Sequence, residues 1–427
     1  MKKRHLLIGL LALVLAVALV AVACEGGDEV TTTSEEVTTT VAYPEGTSTG
    51  PIKVGHIYDE TGAEAIVGSL FKQAVQYVLS DASVAGRPIE LIEADGKSTT
   101  EGAVEAARKL VEQDEVDVVL GPTQIGQKNA VATYCAEKQV PMVLYNPTPP
   151  GALEDNEWVL GVGGLTPEFG TVIADYMYKD LGYRTISTLG PEDSSGHAFF
   201  QPIVDYFTAL GGEVVQQQWA VGQTDDWSAY LTTVEDADAL CAWVGGSGIP
   251  LLTAYYDTGV INKIPLVGAF HGGFLDPWVP RNVGEGNRAA AEALVGIRTV
   301  MAWNPENASQ VNTDYVQGFT ALGPWKAEDG GPSGAAQAGM VLLKALESCA
   351  TNLSGPALRD AILAIDMEGP EGRVFFAPGD NVATKPMYVV EVAIDPVATA
   401  ADEQGRNIFM YKLVKTYDAV PPHGLGQ

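Results

Sequence analysis

Histidine, cysteine and one glycine-flanked serine are the residues here with the clearest chemical potential, and their spacing argues against catalysis. The five histidines are His5, His56, His197, His271 and His423, all far apart in sequence. No His-Glu-x-x-His or Cys-x-x-Cys spacing is present, so no metal site is expected. Gly245-Gly246-Ser247-Gly248-Ile249 departs from the nucleophile elbow at its last position, and reads as a glycine-rich turn after a strand. Gly161-Val162-Gly163-Gly164 lacks the dinucleotide fingerprint, and there is no phosphate loop. The sequence therefore predicts no catalytic residue and no cofactor. It contains 54 Asp and Glu against 25 Lys and Arg, a formal charge of −29. That balance excludes a nucleic-acid binder, which must neutralise phosphates with basic side chains.

The amino terminus sets the compartment. Lys2, Lys3 and Arg4 precede an apolar run from Leu6 to Ala23, which ends in small residues directly before Cys24. This pattern resembles a bacterial lipoprotein signal over residues 1–23, with Cys24 lipidated as the new first residue; an uncleaved helical anchor is the alternative. Both put the remainder outside the cytoplasmic membrane. Residues 24–50 are rich in Thr and Glu, with few large apolar groups to repay ordering, and read as a flexible acidic tether. Three basic and no acidic residues leave with the signal, so −29 becomes −32 on the mature chain. The expected location is the outer face of the cytoplasmic membrane or the periplasm, with contact to the membrane only through Cys24. Cys135, Cys241 and Cys349 remain; the sequence favours three separate buried thiols over a single pairing.

The body of the chain predicts alternating strands and helices. Ile52 to Tyr58 reads as a strand, Val67 to Ser83 as a helix, Pro88 to Ala94 as a strand, and Thr100 to Gln113 as a helix capped by Thr100. The short β-branched run Val116 to Leu120 predicts a buried strand, followed by a helix from Gln127 to Lys138 and a strand from Pro141 to Tyr145. The plan then restarts. Strands like those at Ile52, Val116 and Pro141 recur at Thr185, Ala237 and Ile264, offsets of 133, 121 and 123 residues. Two α/β lobes with parallel sheets follow from this alternation. Helix Ala335 to Ser348 and strand Met387 to Val392 are too few for a third domain, and are expected to cross back to complete both lobes. Ligands of such sheets bind at the carboxyl ends of the strands.

The stretch Glu101-Gly102-Ala103-Val104-Glu105-Ala106-Ala107-Arg108-Lys109-Leu110-Val111, followed by Val118-Val119-Leu120-Gly121-Pro122, resembles the extracytoplasmic solute-binding proteins of branched-chain amino-acid ABC transporters. Ile52-Lys53-Val54-Gly55, Asp226-Trp227-Ser228 and Ile264-Pro265-Leu266-Val267-Gly268 agree in order and spacing. The resemblance implies a type I periplasmic binding fold: two doubly wound parallel-sheet lobes, a ligand cleft and crossing hinge strands. It implies a monomer that delivers a small-molecule ligand to an ABC permease and performs no chemistry. Lobe 1 is expected over residues 51–165 and 302–370, lobe 2 over 166–301 and 371–420, with a tail at 421–427.

The family's ligand contacts carry over residue by residue. The family serine after the Gly-Pro turn falls at Gln124 or Ile125. The next loop reads Asn146-Pro147-Thr148 and keeps the family threonine as Thr148. The acidic residue that pairs an amino-acid ammonium is replaced by Phe270 or His271, and two family aromatics appear as Ser195 and Ser247. An ammonium buried without its carboxylate is costly, which argues against an ordinary aliphatic amino acid. Tyr58, Tyr145, Trp243 and Phe270 are candidates to line the cleft for an aromatic or apolar acid or amide, strand-end core being the alternative for each ring. A signalling sensor on the same fold, or a surface hydrolase using Ser247, are the other readings. If Phe270 lines the pocket, Phe270→Ala weakens ligand binding by about 1 kcal/mol or more with the fold intact. Calorimetric titration with circular dichroism checks this, and unchanged affinity removes Phe270 from the site.

Overall fold

Strand and helix alternate from residue 52 onward and build two sheets. The computed structural model describes residues 50–148, 150–153, 156–221, 224, 226–244, 248–268, 288–327, 331–394 and 409–426. The expected signal and all but the last residue of the expected tether lie outside these.

The first sheet is built from β1 (Ile52–Tyr58), β2 (Ser83–Val84), β3 (Arg87–Asp95), β4 (Val118–Leu120), β5 (Met142–Leu144) and β6 (Val159–Gly161). Helices α1 (Ala65–Leu79), α2 (Thr100–Glu112) and α3 (Ile125–Lys138) connect them. The spatial order is β2-β3-β1-β4-β5-β6, parallel except between β2 and β3. Both faces are apolar, because helices cover both sides of a parallel sheet. Val54, Val118 and Val143 enter one core with α1, and Ile57, Val119 and Leu144 enter another with α2 and α3. The α2 cap falls one residue earlier than the sequence predicts. Thr99, in extended backbone, accepts the Gly102 amide at 3.0 Å, so Thr100 becomes the first helical residue.

Residues 162–165 lead into α4 (Thr166–Asp175) and the second sheet. Its parallel strands are β7 (Thr185–Pro191), β8 (Glu213–Ala220), β9 (Ala239–Ala242), β10 (Leu266–Gly268) and β11 (Arg298–Met301), connected in part by α5 (Ser194–Ala209), α6 (Ser228–Leu231), α7 (Gly248–Asp257) and α8 (Arg288–Ala293). The remaining elements serve both sheets. Helices α9 (Gln310–Leu322), α10 (Ser333–Cys349) and α11 (Gly355–Leu363) pack Phe319, Leu342 and Ile362 into the core over β1. Strands β12 (Asp366–Gly369) and β13 (Gly372–Phe376) lead to β14 (Ala383–Ile394), which pairs antiparallel with β13, β11 and finally β15 (Phe409–Val420). Along β14, Tyr388 and Val390 face the first core while Met387 and Val389 face the core around α4 and α5. Cys135, Cys241 and Cys349 are free thiols, and burial pushes the first two up to about 12.

One core position makes stability depend on pH. His56 has no access to water, and among the described residues neither ring nitrogen has a hydrogen-bond partner. Its ring stacks on Tyr58 at 5.2 Å and meets Tyr145 edge-on at 5.8 Å. Burial, with a smaller contribution from the Lys72 charge, lowers its pKa to about 3. Between that value and the ordinary histidine pKa of about 6.5 the unfolded chain binds a proton that the folded chain refuses, so stability falls with falling pH across this window. We expect the stability of wild type relative to His56→Phe to drop by about 1.4 kcal/mol per pH unit from about pH 6 toward pH 3. Urea denaturation at each pH measures it, and a pH-independent difference contradicts the assignment.

Candidate ligand cleft

Each sheet has one place where the chain reverses its direction of winding. From β1 the chain moves outward to β3 and returns to the other side of β1 as β4. From β7 it moves outward to β8 and returns beside β7 as β9. The loops at the carboxyl ends of β1 and β4, and of β7 and β9, therefore diverge and leave a crevice, where open α/β sheets bind ligands. Gln124, Ile125, Ser195 and Trp243 sit in or just beyond these loops, Tyr58 ends β1, and Tyr145, Asn146 and Thr148 follow β5 next to β4.

The first-sheet loops are tied to one another. Gly121 turns the chain at a φ of +87°, and a Cβ there would lie 2.2 Å from the Ile57 carbonyl, so only glycine fits. The Asn146 side-chain amide donates to the Thr123 carbonyl at 2.7 Å. Gln127 bridges two strand ends, accepting the Gln124 amide at 3.2 Å and donating to Asp59 at 2.8 Å. Ile125 is half-buried and packs against the core around α4 and α5, so this end of α3 reaches the second sheet's side of the molecule. Tyr145 is fully buried against Phe71 at 5.1 Å, and its hydroxyl donates to the Ile57 carbonyl at 3.3 Å. Tyr58 is also buried, its hydroxyl accepting from Lys72 Nζ at 2.7 Å. The Tyr145 ring lies in the core over α1, and the Tyr58 ring lies against Lys72 of α1.

Sequence reasoning missed Lys128. Its side chain is wholly buried, and Nζ donates to the carbonyls of Pro147 at 2.7 Å and Asn146 at 3.2 Å and to Thr148 Oγ1 at 3.2 Å. Thr148 is itself buried, and its hydroxyl donates to the Asn146 carbonyl at 3.0 Å. Desolvation pushes the Lys128 pKa well below the ordinary lysine value. A signal was present: Lys128 falls on the helical stripe of Ile125, Val131, Ala132 and Cys135, where a lysine must be buried or snorkel.

On the second sheet, Ser195 lies in the first turn of α5. The amides of Ser195 and Gly196 are already taken by Asp193 Oδ1 at 2.8 and 2.9 Å, so this helix start presents a capped carboxylate rather than open donors. Trp243 follows β9 with its ring 4.3 Å from Phe199. Ser247, Phe270, His271 and Cys24 lie outside the described residues. Among the described residues, no three His, Cys, Asp or Glu side chains are grouped to hold a metal ion, and no helix is long and apolar enough to cross a membrane.

The segments between the sheets converge on buried charge. Lys385 and Glu371 form an ion pair at 2.7 Å with almost no solvent access. Lys385 also donates to the Gly163 carbonyl at 3.0 Å, and Ser333 donates to the other Glu371 oxygen at 2.9 Å. A Cβ on Gly163 would lie 2.2 Å from the Asn146 amide nitrogen, so the crossing segment and the β5 loop touch backbone to backbone. The Thr148 amide donates to Gly164 at 3.1 Å, and Thr166 returns a bond to Thr148 at 3.1 Å. Glu168 is fully buried beside this crossing, and among the described residues its carboxyl oxygens have no hydrogen-bond partner. Burial raises its pKa well above the ordinary value, against the attraction of Lys385.

Residues 51–401 match the family described as periplasmic binding protein. A curated amino acid binding protein of Pseudomonas aeruginosa is 22% identical over 200 residues, which is 46% of this chain. The chain spans about half the length of that relative, 54%. A solute-binding protein of an ABC transporter from Rhodopseudomonas palustris, solved with 3,4-dihydroxybenzoic acid, has a TM-score of 0.76 at 20% identity, covering 87% of this chain and 98% of that one. A leucine-binding protein from Thermotoga maritima has a TM-score of 0.71 at 21% identity, covering 86% and 99%. These two likenesses show the same fold. With the family match running through both sheets and their crossings, the chain belongs to the periplasmic binding protein family and has its type I fold.

Proposed function

We propose that this protein is the solute-binding component of an ABC importer, anchored by lipid on Cys24 outside the cytoplasmic membrane. It captures a small aromatic or apolar carboxylate or amide between two lobes and hands it to the permease as a monomer, without catalysis. One observation carries this reading: the five parallel strands of each sheet follow the same order, and each set has its winding reversal beside candidate ligand residues. The lobes are residues 51–165 with 302–370, and 166–301 with 371–420. The bonds between the β5 loop and residues 163–166 support a hinge adjoining the ligand loops. The charge of −32 keeps such a domain in solution beside a membrane. The related structures hold a hydroxylated benzoic acid in one case and are named for leucine in the other, both small carboxylates. A surface groove of about 800 Å³ lies elsewhere, between α1 and α9, lined by Lys72, Tyr77 and Trp325 and by none of the strand-end loops. We place the ligand at the strand ends.

Ligand stabilises the closed form by its differential affinity for it. At a concentration about 100-fold above Kd the cognate ligand adds about 2.7 kcal/mol of stability. Differential scanning fluorimetry against amino acids, benzoates and their amides therefore gives a rise in Tm for a subset, accompanied by a smaller radius of gyration in X-ray scattering. No shift from the whole panel, with no small molecule retained in native mass spectrometry, overturns the reading.

A further inference from the structure

Ile125 reaches from the first sheet's lobe to the second on the ligand side of the molecule. It is the first residue of α3, just past the carboxyl end of β4. Its half-buried side chain packs against the core of the second sheet, and α3 itself meets α5. In that core Phe199 of α5 and Trp243, which directly follows β9, are both buried, with ring centroids 4.3 Å apart. β4 and β9 are the strands to which the chain returns at the two winding reversals. A contact between the segments that follow them therefore bridges the cleft, whereas residues 163–166 join the lobes at the crossing.

Each side of this contact is held by its own lobe. Gln127 accepts the Gln124 amide and donates to Asp59, which ties the first turn of α3 to the end of β1. One turn later Lys128 fastens the same helix to the 146–148 loop. Phe199 and Trp243 belong to the second lobe, on α5 and at the end of β9. Rotation about residues 163–166 thus carries Ile125 with one rigid body and the ring pair with the other. We propose that Ile125 is a latch across the cleft: it seats on the apolar ground around Phe199 and Trp243 when the lobes are together, leaves it when they part, and sets the balance of open and closed protein before any ligand arrives. The inference reassigns Ile125 from ligand contact to contact between lobes, and its effect on affinity rests on the solute-binding reading above. Apparent affinity scales with the fraction of protein in the competent form, so the latch changes the affinity of every ligand by the same factor. Preference among ligands is left to the other residues of the cleft. Ile125 is in this sense a positioning residue.

The test begins without ligand. Small-angle X-ray scattering is recorded on wild type, Ile125→Ala and Ile125→Leu, with folding verified by circular dichroism. Each protein is then titrated calorimetrically with 4-hydroxybenzoate, benzamide and L-leucine. We expect ligand-free Ile125→Ala to have a larger radius of gyration than wild type, and Ile125→Leu to match wild type. Every probe that wild type binds loses about threefold or more in affinity for Ile125→Ala, by one common factor. Saturation with a bound probe returns the variant to the wild-type radius. Equal radii without ligand overturn the inference. Loss confined to one probe marks Ile125 as a ligand contact and also overturns it, leaving the solute-binding reading intact. A lower Tm with radius and affinities unchanged marks a packing residue only and does the same. If wild type binds no probe, the solute-binding reading fails and the ligand-free scattering alone decides the latch. Should Ile125→Ala not fold, Ile125→Thr, which keeps the branched shape and puts a hydroxyl into the contact, takes its place with the same expected expansion.

Discussion

Lys385 and Glu371 meet almost out of reach of water, and the crossings between the two sheets are arranged around them. Lys385 holds the Gly163 carbonyl on the way from β6 to α4, and Glu371 holds Ser333 at the start of α10. The Tyr388 hydroxyl adds a bond to the Glu371 carbonyl. A buried ion pair contributes little net stability, because desolvation offsets the attraction. Its directional bonds nevertheless set which segments lie together, and breaking one partner leaves a bare charge behind. The backbone contact between Gly163 and Asn146 depends on that placement, and so does the bonding of Thr148 to residues 164–166. The loop assigned to the ligand is thus one short step from the junction.

From this junction outward the same design appears twice. In each sheet five parallel strands follow the same order with one winding reversal, so each offers a set of loops at its strand ends. The polar groups there serve one another. Gln127 links Asp59 to Gln124, Asn146 reaches Thr123, and Lys128 gathers the β5 loop. Interlocked loops of this kind give a pre-organised surface, which lowers the ordering cost of binding.

Much of this was legible in the sequence because it depends on local pattern. Short β-branched runs, helical stripes and their recurrence after about 120 to 130 residues follow from what a parallel strand and a covering helix must bury. The cap of α2 shifted by one residue because Thr99 and Thr100 are equivalent acceptors, and only backbone geometry selects Thr99. Tyr145 was read as a cleft candidate because it ends a strand. Strand parity puts it on the side of Val143, where Phe71 and His56 enclose it. Lys128 was overlooked because lysine is ordinarily solvated. Its place on an apolar helical stripe was visible, but the three oxygens that receive it belong to a loop 18 to 20 residues away.

The sequence by itself determined the class of fold: alternating α/β elements in two similar halves, in a strongly acidic chain. These follow from composition and from periods of two and 3.6 residues, which act within one element. The tertiary structure alone decided which polar groups are paired and which are stranded. Lys385 found Glu371 14 residues along the chain and Gly163 222 residues away, while Lys128 found the carbonyls of the β5 loop and, among the described residues, no ion pair. Charge pairing in a dry interior is settled by distances of a few ångströms between segments far apart in sequence, where the low dielectric magnifies every gain and loss.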